Sequence, residues 1–573
     1  MIRTFSQHKV RKQKELSQNL WKFVPLSGEH QGTEYQAAVP GCWENMPGFS
    51  SYRGEGMYST TFETGGNARL EFKGVSHTAE VFVDGEKVAS HYNAYTAFDV
   101  LLHLEQGVHT LQVKADNRFS EASALHVPND YMSYGGITRP VVLEEVADIY
   151  VKWVHVTPKR VCGAVAGNLA ESGCESGKQW KADVAVCLNN VGEEQVAAVQ
   201  VELAGESFAW AQKAIPAGES VISCEMTFAG AGIKEWMPKQ PNLYEVYVTV
   251  LQDGEVVDDL TDRVGFREVT VEDGKIRMNG RALRIKGFCR HEDHPQFGCA
   301  IPYSAMVYDL NTMKDLGANS VRTSHYPNDE VFLDLCDEMG ILVWEENHAR
   351  GLSEEQMRNP NFERQAEAVI REMIPLHYNH PSIYIWGILN ECASDTEYGK
   401  ECYEKQYAII KELDTSRPRS SASCKFKTEL CFGIPEVVSY NIYPQWYHDA
   451  PADTYLADLY RWIQEETGGA GKPFLITEIG AGAIYGYRNP NHDKWTEEYQ
   501  AEALEKQINT VMNQPGCQGM YIWQYCDVRI SREWFSTRPR TMNNKGIVDE
   551  YRRPKLSYDV VKKLYSALPD YMD

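Results

Sequence analysis

The sequence lacks the features of a membrane protein and of a nucleic-acid-binding protein. Nowhere in its 573 residues is there a run of about 18 apolar residues, so no segment is long enough to cross a bilayer as a helix. Acidic residues outnumber basic ones, and the formal net charge is −23. Because nucleic-acid binding depends on basic surfaces, we expect neither a membrane nor a nucleic acid as a partner.

A secretion signal and paired cysteines are also missing. The chain begins with the basic stretch MIRTFSQHKVRKQK, but no apolar segment follows it as in a signal peptide. The 14 cysteines are scattered, and none of them are in C-x-x-C spacing. In a large chain without a secretion signal, scattered cysteines indicate reduced thiols, and we expect a cytoplasmic protein.

What the sequence does have is length and many aromatic residues. A chain of 573 residues is too long for one hydrophobic core and predicts roughly three or four domains. Its 13 Trp and 32 Tyr suit a core, but they also suit sugar binding, because aromatic faces stack on apolar C–H surfaces. An anionic substrate would need locally placed cations on so acidic a protein.

Alternation of apolar and polar residues predicts β-structure in the first half of the chain. Residues 58–117 alternate as strands do, and Asp84-Gly85 lies between two such runs, which is typical of a hairpin. A second set of short strands ends near Phe266 and fits an immunoglobulin-like sandwich. We therefore predict one β-sandwich over residues 1–150 and an immunoglobulin-like β-sandwich over residues 151–268.

After about residue 275, strand and helix patterns alternate. Met306, Leu310 and Met313 recur at helical spacing, and Gly317 ends that helix. Eight strand candidates follow one another: ALRIKGF, NSVRTSH, ILVWEEN, SIYIWGILNE, SSASCK, VVSYNIYP, PFLITEIGA and GMYIWQYCD. Alternation of this kind predicts a (β/α)₈ TIM barrel over residues 269–573, in a multidomain α and β protein.

Two glutamates follow apolar strand segments of the predicted barrel. Asn390-Glu391 ends the fourth strand, and Glu478 lies in the seventh. One such glutamate alone is more often a salt-bridged residue of the barrel rim. Two of them fit glycosidic bond cleavage, in which one carboxyl protonates the leaving oxygen and the other attacks or stabilises an oxocarbenium-like transition state.

The order of these parts, together with several motifs, resembles glycoside hydrolase family 2. The motifs are the Asn-Glu pair, TEIG on strand seven, GFCRHEDHPQFG, GANSVRTSHYPND, YGGITRPV and SYNIYP. The resemblance spans nearly the whole chain and implies a retaining exo-β-glycosidase whose first sandwich is jelly-roll-like and binds sugar. It implies Glu391 as the general acid/base and Glu478 as the nucleophile.

The resemblance also implies roles for residues around the two glutamates. Asn390 would hydrogen-bond the 2-hydroxyl of the sugar, and Tyr443 would hold the nucleophile ionised through its phenol. The other implied pocket residues are His291, His325, Asn441 and Trp523. From the residues alone, Tyr443 fits a packed core tyrosine better, and Trp523 fits the barrel core equally well.

A metal site is the alternative that the histidines suggest. His291 and His294 are three residues apart, but His-x-x-His without a third ligand motif is weak evidence. We expect no metal and no other cofactor. A metal-dependent barrel hydrolase and a non-catalytic carbohydrate-binding protein stay as alternatives to the glycosidase.

The stretch TMNNKGIVDE, residues 541–550, bears on which sugar is bound. By itself, N-N-K-G is ordinary turn chemistry. Uronidases of the resembled family have an Asn-x-Lys motif after strand eight that contacts the sugar carboxylate, and Asn543 and Lys545 match it. A lysine ammonium is a compact point charge for a carboxylate. Asp130 and Tyr447 match further contacts to the sugar ring.

These matches imply a β-hexuronidase acting on terminal β-D-glucuronides, with a β-D-galacturonidase that has the same catalytic pair as the alternative. The sequence departs from the glucuronidase pattern at Pro539, where an arginine is usual; Arg538 and Arg540 flank it. This departure leaves recognition at C4 open, and C4 is where the two sugars differ. The short loop after strand three predicts an open site for a small-molecule or oligosaccharide uronide, and we expect a homo-oligomer.

Overall fold

The structure is a computed structural model that describes residues 6–17, 20–161, 179–228 and 232–572. Within these ranges, no helix is both long and apolar enough to cross a membrane. Two regions of antiparallel strands come first along the chain, and a closed barrel of eight strands follows them. Each region has its own cluster of buried apolar side chains.

The first region is built on an eight-stranded antiparallel sheet. Its strands are Lys12–Glu15, Leu20–Pro25, Tyr35–Ala38, Glu55–Phe72, Thr78–Val83, Glu86–Tyr92, Phe98–Asp116 and Val141–Glu145, with a small separate pair at Val75–Ser76 and Gly136–Ile137. Asp84 and Gly85 join two adjacent strands and have φ values of 51° and 86°. A two-residue hairpin turn of this type needs positive φ at both positions, and the predicted hairpin is confirmed.

The second region is a sandwich of two antiparallel sheets, as an immunoglobulin-like arrangement requires. One sheet contains Ile149–Val161, Gln179–Asn190 and Gly218–Phe228, and the other contains Gln195–Leu203, Glu206–Ile215, Tyr244–Gln252 and Glu255–Val264. Trp180 is fully buried between them and packs edge-on against Phe266 at 5.7 Å. Short strands at Trp236–Met237, Gln240–Pro241, Val269–Glu272, Lys275–Met278 and Arg281–Ala282 lead to the barrel.

The barrel has eight parallel strands, numbered here β1 to β8. They are β1 Ile285–Cys289, β2 Ser320–Arg322, β3 Leu342–Glu346, β4 Ile383–Ile388, β5 Arg419–Ser423, β6 Val438–Asn441, β7 Phe474–Ile479 and β8 Cys517–Ile522. The helices are α1 Tyr303–Asp315, α2 Glu330–Met339, α3 Glu354–Met357, α4 Phe362–His377, α5 Glu397–Leu413, α6 Ala452–Glu466, α7 Glu497–Asn513 and α8 Ser557–Ala567. Met306, Leu310 and Met313 are the buried face of α1, and Gly317 follows it with a φ of 82°, as their spacing predicts.

A loop of the first sandwich reaches the carboxyl ends of the barrel strands. The Asn129 N–H donates to Ser531 Oγ at 3.3 Å, and the Trp534 indole N–H donates to the Pro128 carbonyl at 3.2 Å. Nearer the start of this loop, the His126 ring lies 4.3 Å from the ring of His348, which follows β3. These contacts hold the loop, which contains Asp130, against the face where barrel enzymes place their chemistry.

Candidate active site

A cavity of about 320 Å³ opens at the carboxyl ends of the barrel strands. Its lining residues are Asp130, Arg350, Glu391, Cys424, Asn441, Tyr443, Tyr447, His448, Tyr455, Glu478, Trp523 and Lys545. Eight of the residues predicted from the sequence are in this lining. A larger cavity of about 400 Å³ lies where the two sandwiches meet the barrel, but neither rim glutamate lines it.

The other four predicted residues lie directly behind this lining. Asn441 Nδ2 donates to Asn390 Oδ1 at 3.1 Å, and Asn543 Nδ2 donates to Asp130 Oδ2 at 3.2 Å. The His325 ring stacks on Trp523 at 5.2 Å, and the His291 ring meets the same indole edge-on at 5.3 Å. The structure therefore brings all the predicted site residues together at one end of the barrel.

Glu478, on β7, is buried and held by two strong donors. Arg322 Nη1 donates to its Oε1 at 3.0 Å, and the Tyr443 hydroxyl donates to its Oε2 at 2.7 Å. Burial and the nearby charge of Glu391 raise the pKa of Glu478 to about 7, while Arg322, Tyr443 and Arg350 oppose that rise. The carboxyl is therefore poised between its two protonation states near neutral pH.

Glu391 follows β4 on a strained piece of backbone. Its φ is 53°, in the left-handed region that residues with a Cβ rarely adopt, and its N–H donates to the Ala422 carbonyl at 2.8 Å. Asn441 Nδ2 donates to Glu391 Oε1 at 3.0 Å, and Arg350 Nη2 lies 3.7 Å from Oε2. The turn thus aims the Glu391 carboxyl back over the cavity.

The two glutamates accept hydrogen bonds from different kinds of donor. Two interacting carboxyls lose their protons in two steps that belong to the pair, because each negative charge disfavours the other. Glu478 receives a guanidinium and a phenol, whereas the hydrogen bond to Glu391 comes from a neutral amide. Donors of the first kind favour the ionised form more strongly. These donors therefore stabilise the ionised form of Glu478, which is the form that a nucleophile requires.

Arg322, at the end of β2, connects Glu478 to Glu346 and Asn390, and the sequence did not predict a role for it. Its guanidinium is fully buried and donates to both carboxylate oxygens of Glu346 at 2.9 Å, besides its bond to Glu478. It also donates to Asn390 Oδ1 at 2.8 Å. An arginine inside the predicted barrel strand NSVRTSH was the available signal, since burying a guanidinium requires several acceptors.

Asn390 is oriented so that one side of its amide is left for a ligand. Arg322 and Asn441 both donate to its oxygen, which fixes the amide nitrogen on the opposite side. In the described part of the chain, Asn390 Nδ2 is buried and has no hydrogen-bond partner. A buried donor without a partner costs about 1–3 kcal/mol, so this geometry suits a hydroxyl acceptor on a bound sugar.

Lys545 supplies a buried cation to the lining of the cavity. Its side chain is 2% exposed, and Nζ lies 5.9 Å from the ring centre of Tyr443 and 5.1 Å from that of Tyr447. Across the described residues, no carboxylate lies within ion-pair distance of Nζ. Asn544 stabilises the turn, because its Nδ2 donates to the carbonyls of Pro539 and Met542 at 2.8 and 2.9 Å.

Two arginines beside Asp130 were not assigned from the sequence. Arg350, from the loop after β3, places Nη2 3.5 Å from Asp130 Oδ1, and Arg538 places Nη2 3.3 Å from Oδ2. Burial raises the pKa of Asp130, but Arg350, Lys545 and Arg538 together outweigh it and hold that pKa below its usual range. Asp130 is therefore a carboxylate surrounded by cations.

Arg538 supplies a positive charge next to Pro539, the position at which the glucuronidase pattern has an arginine. Its Nη2 is also 3.3 Å from the Tyr447 hydroxyl, whereas Arg540 turns away and pairs with Glu550 Oε1 at 2.5 Å. Arg540 and Thr541 have φ values of 59° and 56°, and this kink separates the two arginine side chains. Of these two arginines, Arg538 is therefore the one that contacts the cavity-lining residues Asp130 and Tyr447.

The comparisons with known proteins agree with this geometry. The family "Glycosyl hydrolases family 2, TIM barrel domain" matches residues 269–569, and "Glycosyl hydrolases family 2" matches residues 173–267. A solved family 2 β-galacturonidase from Eisenbergiella tayi, bound to galacturonate, is 59% identical, with a TM-score of 0.93 and 100% of each chain covered.

Proteins named β-glucuronidase are more distant. A putative β-glucuronidase of Formosa agariphila is 27% identical over 537 residues, which are 87% of this chain and 62% of that protein. The chain thus spans less than two thirds of that relative. A Bifidobacterium dentium β-glucuronidase complexed with coumarin-3-O-glucuronide shares 23% identity and the same fold, with a TM-score of 0.87 over 99% of this chain and 98% of that one.

Proposed function

This chain belongs to glycosyl hydrolase family 2 and is a glycoside hydrolase, and from that premise we propose that it removes terminal β-linked D-galacturonic acid from its substrates. Lys545 is the observation that supports a uronic acid. A buried ammonium without a carboxylate partner among the described residues is costly unless a ligand supplies the anion. The sugar carboxylate, at C6 of a hexuronate, is that anion.

The two glutamates act in the proposed double displacement. A Glu478 carboxylate oxygen attacks the anomeric carbon while the bond to the leaving oxygen breaks and that oxygen takes the proton of Glu391. Water then attacks the same carbon, Glu391 takes a proton from the water, and Glu478 leaves as the carboxylate. Two inversions at one carbon retain the β configuration. No cofactor takes part in either step.

The surrounding residues position the sugar for this reaction. Asn390 Nδ2 donates to the 2-hydroxyl, a contact that strengthens as the transition state forms. Trp523, backed by the stacked His325 ring, presents an indole face to the apolar side of the pyranose. Arg322 and Tyr443 keep Glu478 aligned in both steps. Because these donors are already in place, little free energy is needed to reorient them as charge moves.

Galacturonide is placed first because of the Eisenbergiella tayi relative, which is 59% identical across the full chain. This order reverses the one that the sequence alone favours. Glucuronide is the second candidate, since Asn543, Lys545 and Asp130 fit the glucuronidase pattern. The two sugars differ at C4, and the cluster of Asp130, Arg350 and Arg538 is the part of the cavity with donors and acceptors available to read that hydroxyl.

Parallel assays of para-nitrophenyl β-D-galacturonide and β-D-glucuronide test the choice. We expect kcat/KM to favour the galacturonide by about tenfold or more, which corresponds to about 1.4 kcal/mol, within the range of one hydrogen bond. The reverse preference would make the protein a β-glucuronidase. Hydrolysis of neither uronide, with turnover of a neutral β-hexoside, would overturn the hexuronide assignment.

A cytoplasmic location and a homo-oligomeric state also stay as proposals. All twelve cysteines in the described residues are free, and Cys42 and Cys299 stay unbonded with sulfurs 3.6 Å apart. Unpaired thiols so close together suit a reducing compartment. Light scattering on the purified full chain at micromolar concentration measures the assembly, and a mass of one chain would contradict the oligomer.

A further inference from the structure

One side of the catalytic cavity is lined by residues that the proposed sugar contacts leave unused. They are Cys424, which follows β5, His448, in the loop after β6, and Tyr455, in the first turn of α6. None of the three has a part in binding the uronate or in the displacement. They share the cavity with Glu391 and Glu478, so whatever occupies this side lies next to the reacting bond.

His448 and Tyr455 form an aromatic face. Their ring centres are 5.2 Å apart with an angle of 19° between the planes, and the Phe426 ring lies 6.0 Å behind Tyr455. The histidine is exposed and the tyrosine half-buried, so one side of the pair is backed by protein and the other is open to the cavity. Such a face offers stacking to one side of a flat or chair-shaped ring.

This face lies on the leaving-group side of the reaction centre. The Glu391 N–H donates to the Ala422 carbonyl at 2.8 Å, so the acid glutamate lies against β5, two residues before Cys424. Tyr455 lines the same cavity, and its ring lies 6.0 Å from that of Phe426, two residues after Cys424. Lys545, which reads the uronate carboxylate, is instead surrounded by Tyr443, Trp446 and Tyr447. The group that receives the Glu391 proton therefore departs toward Cys424 and Tyr455.

We propose that the His448–Tyr455 face is a subsite for the leaving group, and that this group is a second pyranose ring. The proposal rests on the hexuronidase activity proposed above and adds the chemical class of the rest of the substrate: an oligosaccharide ending in a β-linked hexuronate. The acid glutamate sits between this subsite and the uronate pocket, as cleavage of a bond joining two sugars requires.

The polarity around the face favours a sugar over an apolar aglycone. Asp449, beside His448 in the chain, is fully exposed, and Lys425, beside Cys424, is about one quarter exposed. A pyranose can place its C–H surface on the rings and its hydroxyls toward these charges and water. A hydrophobic aryl group gains most when both of its faces are covered, whereas His448 is exposed.

The test compares two substrates that share the uronate and differ in the leaving group. One is a disaccharide of β-D-galacturonate linked to a neutral hexose, and the other is β-D-galacturonosyl fluoride, whose leaving group cannot stack. We expect His448→Ala and Tyr455→Ala each to lower the ratio of kcat/KM for disaccharide over fluoride by about 3- to 10-fold, which is the range expected for the loss of one stacked ring.

Tyr308→Ala, which removes an exposed tyrosine of α1 outside the cavity, is the matched control and should keep the wild-type ratio. An unchanged ratio in both test variants would overturn the subsite. If kcat/KM of the two test variants falls for para-nitrophenyl β-D-galacturonide but not for the disaccharide, a sugar is not the occupant of the subsite. Wild-type protein inactive on both uronosyl substrates would instead refute the hexuronidase activity itself, so the two failures are distinguishable.

Discussion

The Tyr443 hydroxyl donates to Glu478 Oε2 at 2.7 Å, so a residue just beyond β6 fixes the charge state of a carboxyl on β7. This bond lowers the pKa of Glu478 against the larger effects of burial and of Glu391, which raise it. In the proposed mechanism, Glu478 must be ionised to attack the anomeric carbon. The phenol therefore sets the acidic limit of activity as well as the direction of the carboxylate.

Tyr443→Phe removes that donor and keeps the ring. A hydrogen bond to a charged group contributes about 1.5–3 kcal/mol, so we expect kcat/KM to fall by about 10- to 100-fold. With the donor gone, the pKa of Glu478 rises, and the acidic limb of the pH profile moves to higher pH. A profile that keeps its acidic limb while the rate falls would mean that Tyr443 acts through packing alone.

Lys545→Ala tests the reading of the substrate carboxylate. We expect kcat/KM for the preferred hexuronide to fall by about 100-fold or more, because an unpaired carboxylate in a buried site costs on the order of 3 kcal/mol. The kcat/KM for a neutral β-galactoside should not fall in parallel, since that sugar has no carboxylate for Lys545 to bind.

Lys494→Ala is the matched control for Lys545. Lys494 Nζ bonds the Trp446 carbonyl at 3.0 Å and lies over the same indole, but it is outside the cavity lining. It should leave the preference for uronide over hexoside unchanged. Equal losses in the two lysine variants would assign the effect to the loop around Trp446 and not to a carboxylate contact.

Glu391→Gln separates the acid from the nucleophile. General acid catalysis contributes about 10²- to 10⁴-fold, so cleavage of a poorly leaving alkyl or sugar group should fall within that range. Hexuronosyl fluoride needs no proton on its leaving group, and its glycosylation step should be far less affected. Added azide should then attack the glycosyl-enzyme and give the β-configured azide, seen by NMR. An α-configured azide would contradict retention.

Glu478→Gln should make the protein more stable at alkaline pH. Burial raises the folded-state pKa of Glu478 from about 4.5 to about 7, so in this window the folded protein binds more protons than the unfolded chain. Stability therefore falls as pH rises from about 4.5 to 7 and stays lower above that. The shift corresponds to on the order of 3 kcal/mol at pH 8.

Thermal melts at pH 5 and pH 8 measure this effect. The Tm of Glu478→Gln should exceed that of the wild type at pH 8, with a smaller difference at pH 5. Glu412→Gln, on an exposed carboxyl paired with Arg371, is the control and should show no such gain. A Glu478→Gln protein less stable than wild type at both pH values would mean that its bonds to Arg322 and Tyr443 outweigh the cost of burying the charge.

The sequence allowed prediction of the features that depend on local patterns. Alternation and Asp84-Gly85 predicted the hairpin, helical spacing predicted α1, and the order of strands and helices predicted the closed barrel. The two glutamates were identifiable because each interrupts or ends an apolar strand. Such signals involve residues close together in the sequence. They predict structure reliably because the buried face of a helix or strand recurs with a fixed period along the chain.

The cation cluster at Asp130 was beyond this kind of prediction. Asn543 and Asp130 are 413 positions apart in the sequence and form a hydrogen bond, and no local pattern in the sequence indicates such a pair. The side that Arg538 faces depends on left-handed backbone at Arg540 and Thr541, which neither residue type favours. Contacts of this kind follow from the docking of whole domains and from strained turns, which only the folded structure reveals.

The loop that brings Asp130 from the first sandwich to the barrel makes the site a product of interdomain docking. A barrel separated from its sandwich would retain both glutamates and Lys545, but it would lose the acidic partner of Arg350, Arg538 and Asn543. In the proposed enzyme, the catalytic glutamates and one of the residues assigned to C4, Asp130, thus belong to different modules of one chain. Exchange of the N-terminal sandwich between homologous enzymes would change the partner of the barrel's two arginines at C4 while leaving both glutamates in place.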